Sequence, residues 1–288
     1  MKLLDDALTQ LERWHALDAV AEPVRAVTRA AVKPRLVRDL LSGTGLGHPL
    51  HPVLTDLPIG AWSMAAVLDL MGEPTERGAD VLVAAGLVAA VPTAAAGFND
   101  WTETNEAESR VGIVHAALNV TALGLYGASL AARKAGARTA GRGLAFAGLG
   151  ILLTSGYLGG HLAFSKGVRV SRAAWHEGPV TWQDVGAADD VAEGTPTLVE
   201  AGGVPLLLVH DDGRLVALDN VCTHAGGPLN EGTVSGGCVT CPLHGSTFRL
   251  ADGSVVHGPA SVPQPSYEVR VRDGRVLVRA RRRKAPII

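Results

Sequence analysis

Cysteine is scarce in this 288-residue chain: three thiols, Cys222, Cys238 and Cys241, leave no disulfide framework. A chain without disulfides suits a reducing compartment. Positive charge is not in excess either. The 26 Lys and Arg against 28 Asp and Glu leave a net charge of −2, which gives no electrostatic reason to expect a nucleic-acid partner. The N-terminal residues lack an early apolar core with a small-residue cleavage site, and no twin-arginine motif precedes the apolar part, so no export signal is expected.

The most telling absence is of charge within long runs. Residues 81–98, "VLVAAGLVAAVPTAAAGF", carry none, and 111–132 and 143–165 carry none apart from one histidine each. Runs of this length match the ~20 residues needed to cross a bilayer. A fourth run, 53–71, is interrupted by Asp56 and Asp69. A soluble Ala-rich bundle would need charged faces at helical spacing, and those are missing. The expectation is an all-α, four-helix transmembrane bundle over 46–165, rich in Gly, Ala and Ser for close packing, with Pro58 and Pro92 kinking two helices. Residues 1–45 read as an amphipathic helical segment lying on the membrane, broken at Pro34.

Four spans leave both chain ends on one side of a cell membrane. Lys33, Arg35, Arg38, Arg110, Lys166, Arg169 and Arg172 fall on that side, against Arg77, Arg133, Lys134, Arg138 and Arg142 on the other. The balance places the C-terminal domain in the cytoplasm. His48, His51, Asp56, Asp100, His115 and His161 gather at the same face. Polar helix ends bonding at the interface explain them in the plainest way. The sharper readings are a b-type haem between His115 and His161, which sit at matching depths, or a quinone or metal site that adds His48 and His51. Asp56, Asp100 or Asn119 would then orient the imidazoles. His15, His176, His210 and His257 stand singly and read as structural or surface residues.

Beyond a linker at 166–179 the pattern changes. "LLLVHDDGRLVALD" and "YEVRVRDGRVLVRA" alternate as strands around Asp212-Gly213 and Asp273-Gly274, and Asp252-Gly253 offers a third such turn. The expectation is an all-β domain over 180–280. Within it stand Cys222-x-His224 and, after 16 intervening residues, Cys241-x-x-His244, expected on two hairpin tips. Two thiols and two imidazoles can close a tetrahedron around zinc. They can also divide over a two-iron cluster, one iron taking both thiolates and the other both imidazoles. Structural zinc usually staples a module too small for its own core, which a strand-rich region of this size is not. Cys238 reads as a buried strand thiol. The basic run "RARRRK" at 279–284 leads into a tail, 281–288, that offers charge to anionic lipid or an acidic redox partner, or is simply solvated.

These loops resemble the Rieske family. Its paired motifs stand here as Cys222-Thr223-His224 and Cys241-Pro242-Leu243-His244-Gly245, and Gly258-Pro259-Ala260 with Pro263 is similar to its cluster-shielding segment. The resemblance covers roughly 179–280 and implies a 2Fe–2S cluster held by Cys222, His224, Cys241 and His244. Where quinol-oxidising members carry a disulfide between the loops, this chain has Gly226 and Leu243. Where high-potential members have a serine and a tyrosine donor, it has Ser246 and Phe248, which implies an intermediate potential. Separately, "GHPLHPVLTDLPIGAW" at 47–62 resembles the H-P-x-H-P signature of a family of four-helix membrane proteins, over about 40–170.

The function expected is that of a membrane-anchored carrier passing single electrons between a membrane-side donor, quinol or haem, and a redox partner. The rivals are a ferredoxin-like component serving an oxygenase or reductase, and a non-catalytic redox sensor. A stand-alone Rieske oxygenase is not expected. It needs a mononuclear iron site of two histidines and a carboxylate, and only about forty residues follow His244, with His257 their sole histidine.

Overall fold

The computed structural model describes residues 2–281, and the chain divides into two units. One is built from residues up to 37 and from 49–168, the other from 38–48 and from 169 onward. Most of the expected basic tail, from Arg282 to Ile288, lies outside the described residues.

The first unit is helical. Helices α1 (Lys2–Glu12) and α2 (Asp18–Ala31), followed by α3 (Arg35–Ser42), most of which falls in the other unit, precede α4 (Leu50–Met71), α5 (Glu76–Trp101), α6 (Glu106–Lys134) and α7 (Arg138–Gly160). A π-helical turn at His161–Ser165 extends α7. The last four are long and apolar enough to cross a membrane, and each contains one of the expected runs. Helices α4 and α5 continue through Pro58 and Pro92. Small residues set the packing: a Cβ on Gly86 would lie 2.2 Å from the Trp62 indole nitrogen. Trp62 stacks on Tyr126 with ring centroids 4.1 Å apart, in a core with Ala65, Val83, Ala122 and Ala145.

Asp69 had interrupted the weakest run, and the structure supplies its counter-charge. Its carboxylate pairs with Arg133, and both side chains are fully buried. Asp80 bonds Arg133 at 3.1 Å and Arg138 at 2.8 Å, and Glu76 bonds Arg142 at 2.9 Å. Three acids thus meet three arginines at one end of the bundle, the pairing that buried charge requires.

The N-terminal residues depart from expectation, because 1–45 is not one segment. Leu8 of α1 packs with Val111 and Leu158, and Ala21 of α2 with Trp101 and Ile113. Arg25 of α2 donates to the Thr104 carbonyl at 2.6 Å and lies over the Trp101 ring. The apolar stripe of α1 and α2 therefore has protein to bury against, while Val20 and Val27 face outward. Residues 38–48 belong to the second unit.

That unit is all-β beyond residue 182. Its strands are β1 (Gln183–Ala187), β2 (Thr197–Ala201), β3 (Val204–Asp211), β4 (Arg214–Asp219), β5 (Thr233–Ser235), β6 (Cys238–Thr240), β7 (Thr247–Arg249), β8 (Val255–His257), β9 (Ser266–Arg272) and β10 (Arg275–Ala280). They form a six-stranded antiparallel sheet, ordered β1-β10-β9-β4-β3-β2, and a four-stranded one, β5-β6-β7-β8. Asp212-Gly213 and Asp273-Gly274 all have φ between +50° and +74°, as a two-residue hairpin turn of type I′ needs. Strand β3 is buried on both faces. Leu206 and Leu208 enter a core with Tyr267 and Val276; Leu207 and Val209 enter another with Phe248, Leu250, Cys222 and Cys241.

The linker 166–179 is hydrogen-bonded through backbone and side chains. Gly167 and Val168 donate back to Ala163 and Leu162, the Arg172 amide donates to Thr223, and His176 meets Asp219 at 2.6 Å. Two further expectations are corrected. The first ligand loop is not a hairpin tip: it carries the chain from β4 in one sheet to β5 in the other. Only the second, between β6 and β7, caps a hairpin. Cys238, expected to be buried, is half-buried at the start of β6.

Candidate metal centre

The tip of the four-stranded sheet brings together the four side chains singled out by spacing. Cys222, His224 and Cys241 are buried and His244 is half-buried. The two imidazoles meet edge to face with ring centroids 5.1 Å apart. The two thiols face each other as a hydrogen-bonded pair. The set is thus arranged as a thiol pair and an imidazole pair. That division suits two irons better than one tetrahedral zinc.

Each sulfur is met by backbone amides, of His224 and Ala225 at Cys222 and of Leu243 and His244 at Cys241. A hydrogen bond from Cys222, helped by those amides, holds the Cys241 thiol down to about 6. Its partner is pushed up, first by Cys241 and then by burial, so the pair shares a proton that a metal would displace. Burial pushes His224 down to about 2, and Arg169, His244, Arg38 and Arg172 add repulsion, so the ring is a neutral ligand. A Cβ on Gly227 would stand 2.7 Å from the Cys241 sulfur, so the loop approaches closely only as glycine. Sulfur-directed amides, paired thiols and an imidazole pair, His224 neutral, fit a Rieske-type centre.

The loops are tied from behind by residues that motif spacing did not reveal. Gln264, buried, donates to the carbonyls of Asp219 and Val221, each at 2.7 Å, and accepts from the Thr223 amide at 3.1 Å. Thr223 donates its hydroxyl to Val262 at 2.8 Å. Asn220 bonds both the amide and the side chain of Asn230. Ser246 is fully buried, and its oxygen accepts from the Ala260 amide at 2.9 Å. A polar residue after a ligand loop, such as Gln264, was the available signal, but its partners lie about forty residues away.

The membrane histidines are already engaged. His115 Nδ1 lies 2.8 Å from the Ser155 carbonyl, and Nε2 accepts from Asn119 at 3.1 Å. Helix α7 closes on that ring, with a Cβ on Gly159 only 3.1 Å away. His161 Nε2 sits 2.9 Å from Glu12, which Lys166 also meets at 2.7 Å. His51 bonds the Thr93 carbonyl at 2.9 Å. Haem ligation by His115 and His161 is therefore not supported: both nitrogens of one ring and the outer nitrogen of the other have protein partners. His48 and Asp56 are exposed. The four single histidines each meet a carboxylate, His257 through Asp39 at 3.0 Å.

Residues 181–268 match the Rieske [2Fe-2S] domain, and 47–172 match a predicted membrane protein family, DUF2231. Ferredoxin CarAc of Metapseudomonas resinovorans is 36% identical over 98 residues, which are 34% of this chain and 92% of that protein. The anthranilate 1,2-dioxygenase ferredoxin subunit of Burkholderia cepacia is 34% identical over 34% of this chain and 90% of its own. The cytochrome b6-f complex iron-sulfur subunit of Chlorobaculum tepidum is 32% identical over 33% of this chain and 51% of its own. The Rieske domain implies a 2Fe–2S cluster, and with it single-electron transfer. The chain belongs to the Rieske [2Fe-2S] family, its ferredoxin-like domain carried behind a four-helix membrane domain of the DUF2231 type.

Proposed function

We propose that the protein is a membrane-anchored electron carrier, with Cys222 and Cys241 on one iron and His224 and His244 on the other. When bound, such a cluster accepts and releases one electron at a time. The protein's own contribution is to hold it: amides aimed at the two sulfurs, Gln264 fastening the first loop, and two imidazoles set edge to face. The observation that carries the reading is the occurrence of this buried thiol and imidazole pair on one chain with four membrane-length apolar helices. Electrons would enter from a membrane-side donor such as a quinol and leave to a partner protein on the side of the Rieske domain, which we assign to the cytoplasm.

A second reading has a specific observation in its favour: the relatives cited first are a ferredoxin and the ferredoxin subunit of a dioxygenase. Here the electron would come from a soluble reductase and go to an oxygenase, with the helices only concentrating the carrier at the membrane. Stopped-flow reduction of purified, cluster-loaded protein by a short-chain quinol and by a flavin reductase separates the two. Fast reduction by quinol supports the first, and reduction by the reductase alone supports the second. One equivalent of zinc without iron or labile sulfide, or a Rieske EPR signal that survives His244→Ala, would overturn both.

A further inference from the structure

Residues 38–46 lie in neither family match, which cover 47–172 and 181–268, yet they belong to the same unit as the Rieske domain. Their polar groups are spent on the loops of the candidate centre. Arg38 donates to the His244 carbonyl at 2.9 Å. Asp39 accepts from the Gly258 amide at 2.7 Å with one oxygen and meets His257 Nδ1 at 3.0 Å with the other. Thr44 donates to the Ala260 carbonyl at 3.1 Å. Arg169, arriving from the far end of the membrane half, donates to Pro259 at 2.8 Å and to Ser42 at 2.6 Å, tying segment and loop together.

The fit is close enough to dictate residue type. A Cβ on Gly258 would stand 2.5 Å from the Thr44 hydroxyl oxygen and 3.3 Å from Asp39. These contacts join residues more than two hundred positions apart, so they form against a substantial loop-closure entropy. A peptide that only connected α2 to the first span would have no reason to hold them.

We infer that residues 38–46 are a built-in clamp of the cluster site, with Asp39 as its positioning residue. The inference rests on the Rieske reading and extends it. Asp39 fixes His257 and Gly258; the 258–260 loop follows; the Ala260 amide then holds the Ser246 hydroxyl, two residues after His244. Chain upstream of the membrane half thereby holds shut a site built by chain downstream of it.

The test uses the full-length protein in detergent. Asp39→Ala should speed amide exchange across the peptide carrying 257–261 by at least about tenfold, the loss of the charge-assisted bond to the Gly258 amide together with the His257 contact. It should also speed chelator-driven cluster loss and move the midpoint in the same direction as Ser246→Ala. Asp39→Asn, which keeps an oxygen for the Gly258 amide, should recover most of the exchange protection; Arg35→Ala, on the exposed side of α3, should behave as wild type. If Asp39→Ala fails to fold, Thr44→Val makes the same test through Ala260. Wild-type exchange and an unmoved midpoint in Asp39→Ala, or Asp39→Asn as damaging as Ala, would overturn the clamp. Wild-type protein without iron would instead overturn the Rieske reading, and the exchange measurement would still judge the clamp.

Discussion

Ser246 is the position where one oxygen atom should be visible as voltage. Its side chain is fully buried, and its oxygen accepts the Ala260 amide at 2.9 Å, which leaves the hydroxyl proton available to donate, as the serine at this place in high-potential Rieske members would to a bound cluster. Reduction adds one negative charge to the cluster, so a donor stabilises the reduced state more than the oxidised one. A neutral hydrogen bond contributes about 0.5–1.5 kcal/mol and one to a charged group about 1.5–3 kcal/mol, so the difference between states is roughly 1–2 kcal/mol. For a single electron, a tenfold change in equilibrium is about 59 mV, which converts that difference to roughly 40–90 mV. Ser246→Ala should therefore lower the midpoint by that amount. Phe248 is fully buried in the core that contains both cysteines, and Phe248→Tyr should raise the midpoint by a comparable step. The wild-type value should lie inside the Rieske range of about −150 to +300 mV, below its top. The assay is a dye-mediated titration followed by EPR on cluster-loaded protein. Ser246→Ala also leaves the Ala260 amide unpaired, so loading is checked first by iron and sulfide content. A midpoint that moves upward, or by less than about 20 mV, would refute the hydrogen-bond account.

Three other perturbations are as direct. Gln264→Leu removes three bonds from the first ligand loop and should lower stability by about 2–4 kcal/mol, read as earlier thermal loss of the visible cluster spectrum. Arg133→Ala takes from the buried Asp69 carboxylate its hydrogen-bonded partner, leaving only Arg142 at 3.7 Å and Arg138 at 3.8 Å, and should cost about 1.5–3 kcal/mol in denaturant titrations of the detergent-solubilised protein, with Asp69→Asn restoring part of it. Burial would raise the Glu12 carboxyl, but Lys166 and His161 outweigh it and hold the group below 4.5. Its stabilisation is present above pH 4.5 and fades as the pH falls through the depressed value, so Glu12→Gln should flatten the acid limb of the unfolding profile.

The parts of this molecule that show in its sequence are those whose physics is local. A span must be long and uncharged over consecutive residues, so three of four helices announce themselves. A hairpin turn with two left-handed residues calls for Asp-Gly, and both such pairs join the strands they were expected to join. Ligand loops carry their spacing with them. Asp69 is the counter-example within the membrane half: it weakened the first run because Arg133, the partner that makes it tolerable, stands 64 positions away. The two-sheet arrangement was hidden for the same reason, since a β4–β5 crossover and a hairpin look alike until pairing is known.

The histidines and the clamp show the two directions in which non-local information misleads. His115 and His161 share a membrane face and a depth, a pattern two axial ligands would produce, but so do helix ends that bond their neighbours. What decides between them is whether each ring nitrogen has a partner, and Ser155, Asn119 and Glu12 are that answer. Residues 38–46 err the other way. With the residues just before them they mix Leu with Arg and Asp in a way that suits a helix on a membrane surface, and the exposed Leu36 and Leu40 keep that character. The polar residues between them, Arg38 and Asp39, have fixed acceptors and donors in loops more than two hundred positions on. The trace of this in the sequence is Gly258, which reads there only as part of the segment similar to the cluster-shielding loop. In the structure it is room for Thr44 and Asp39, so the same glycine serves a contact that no local pattern could have named.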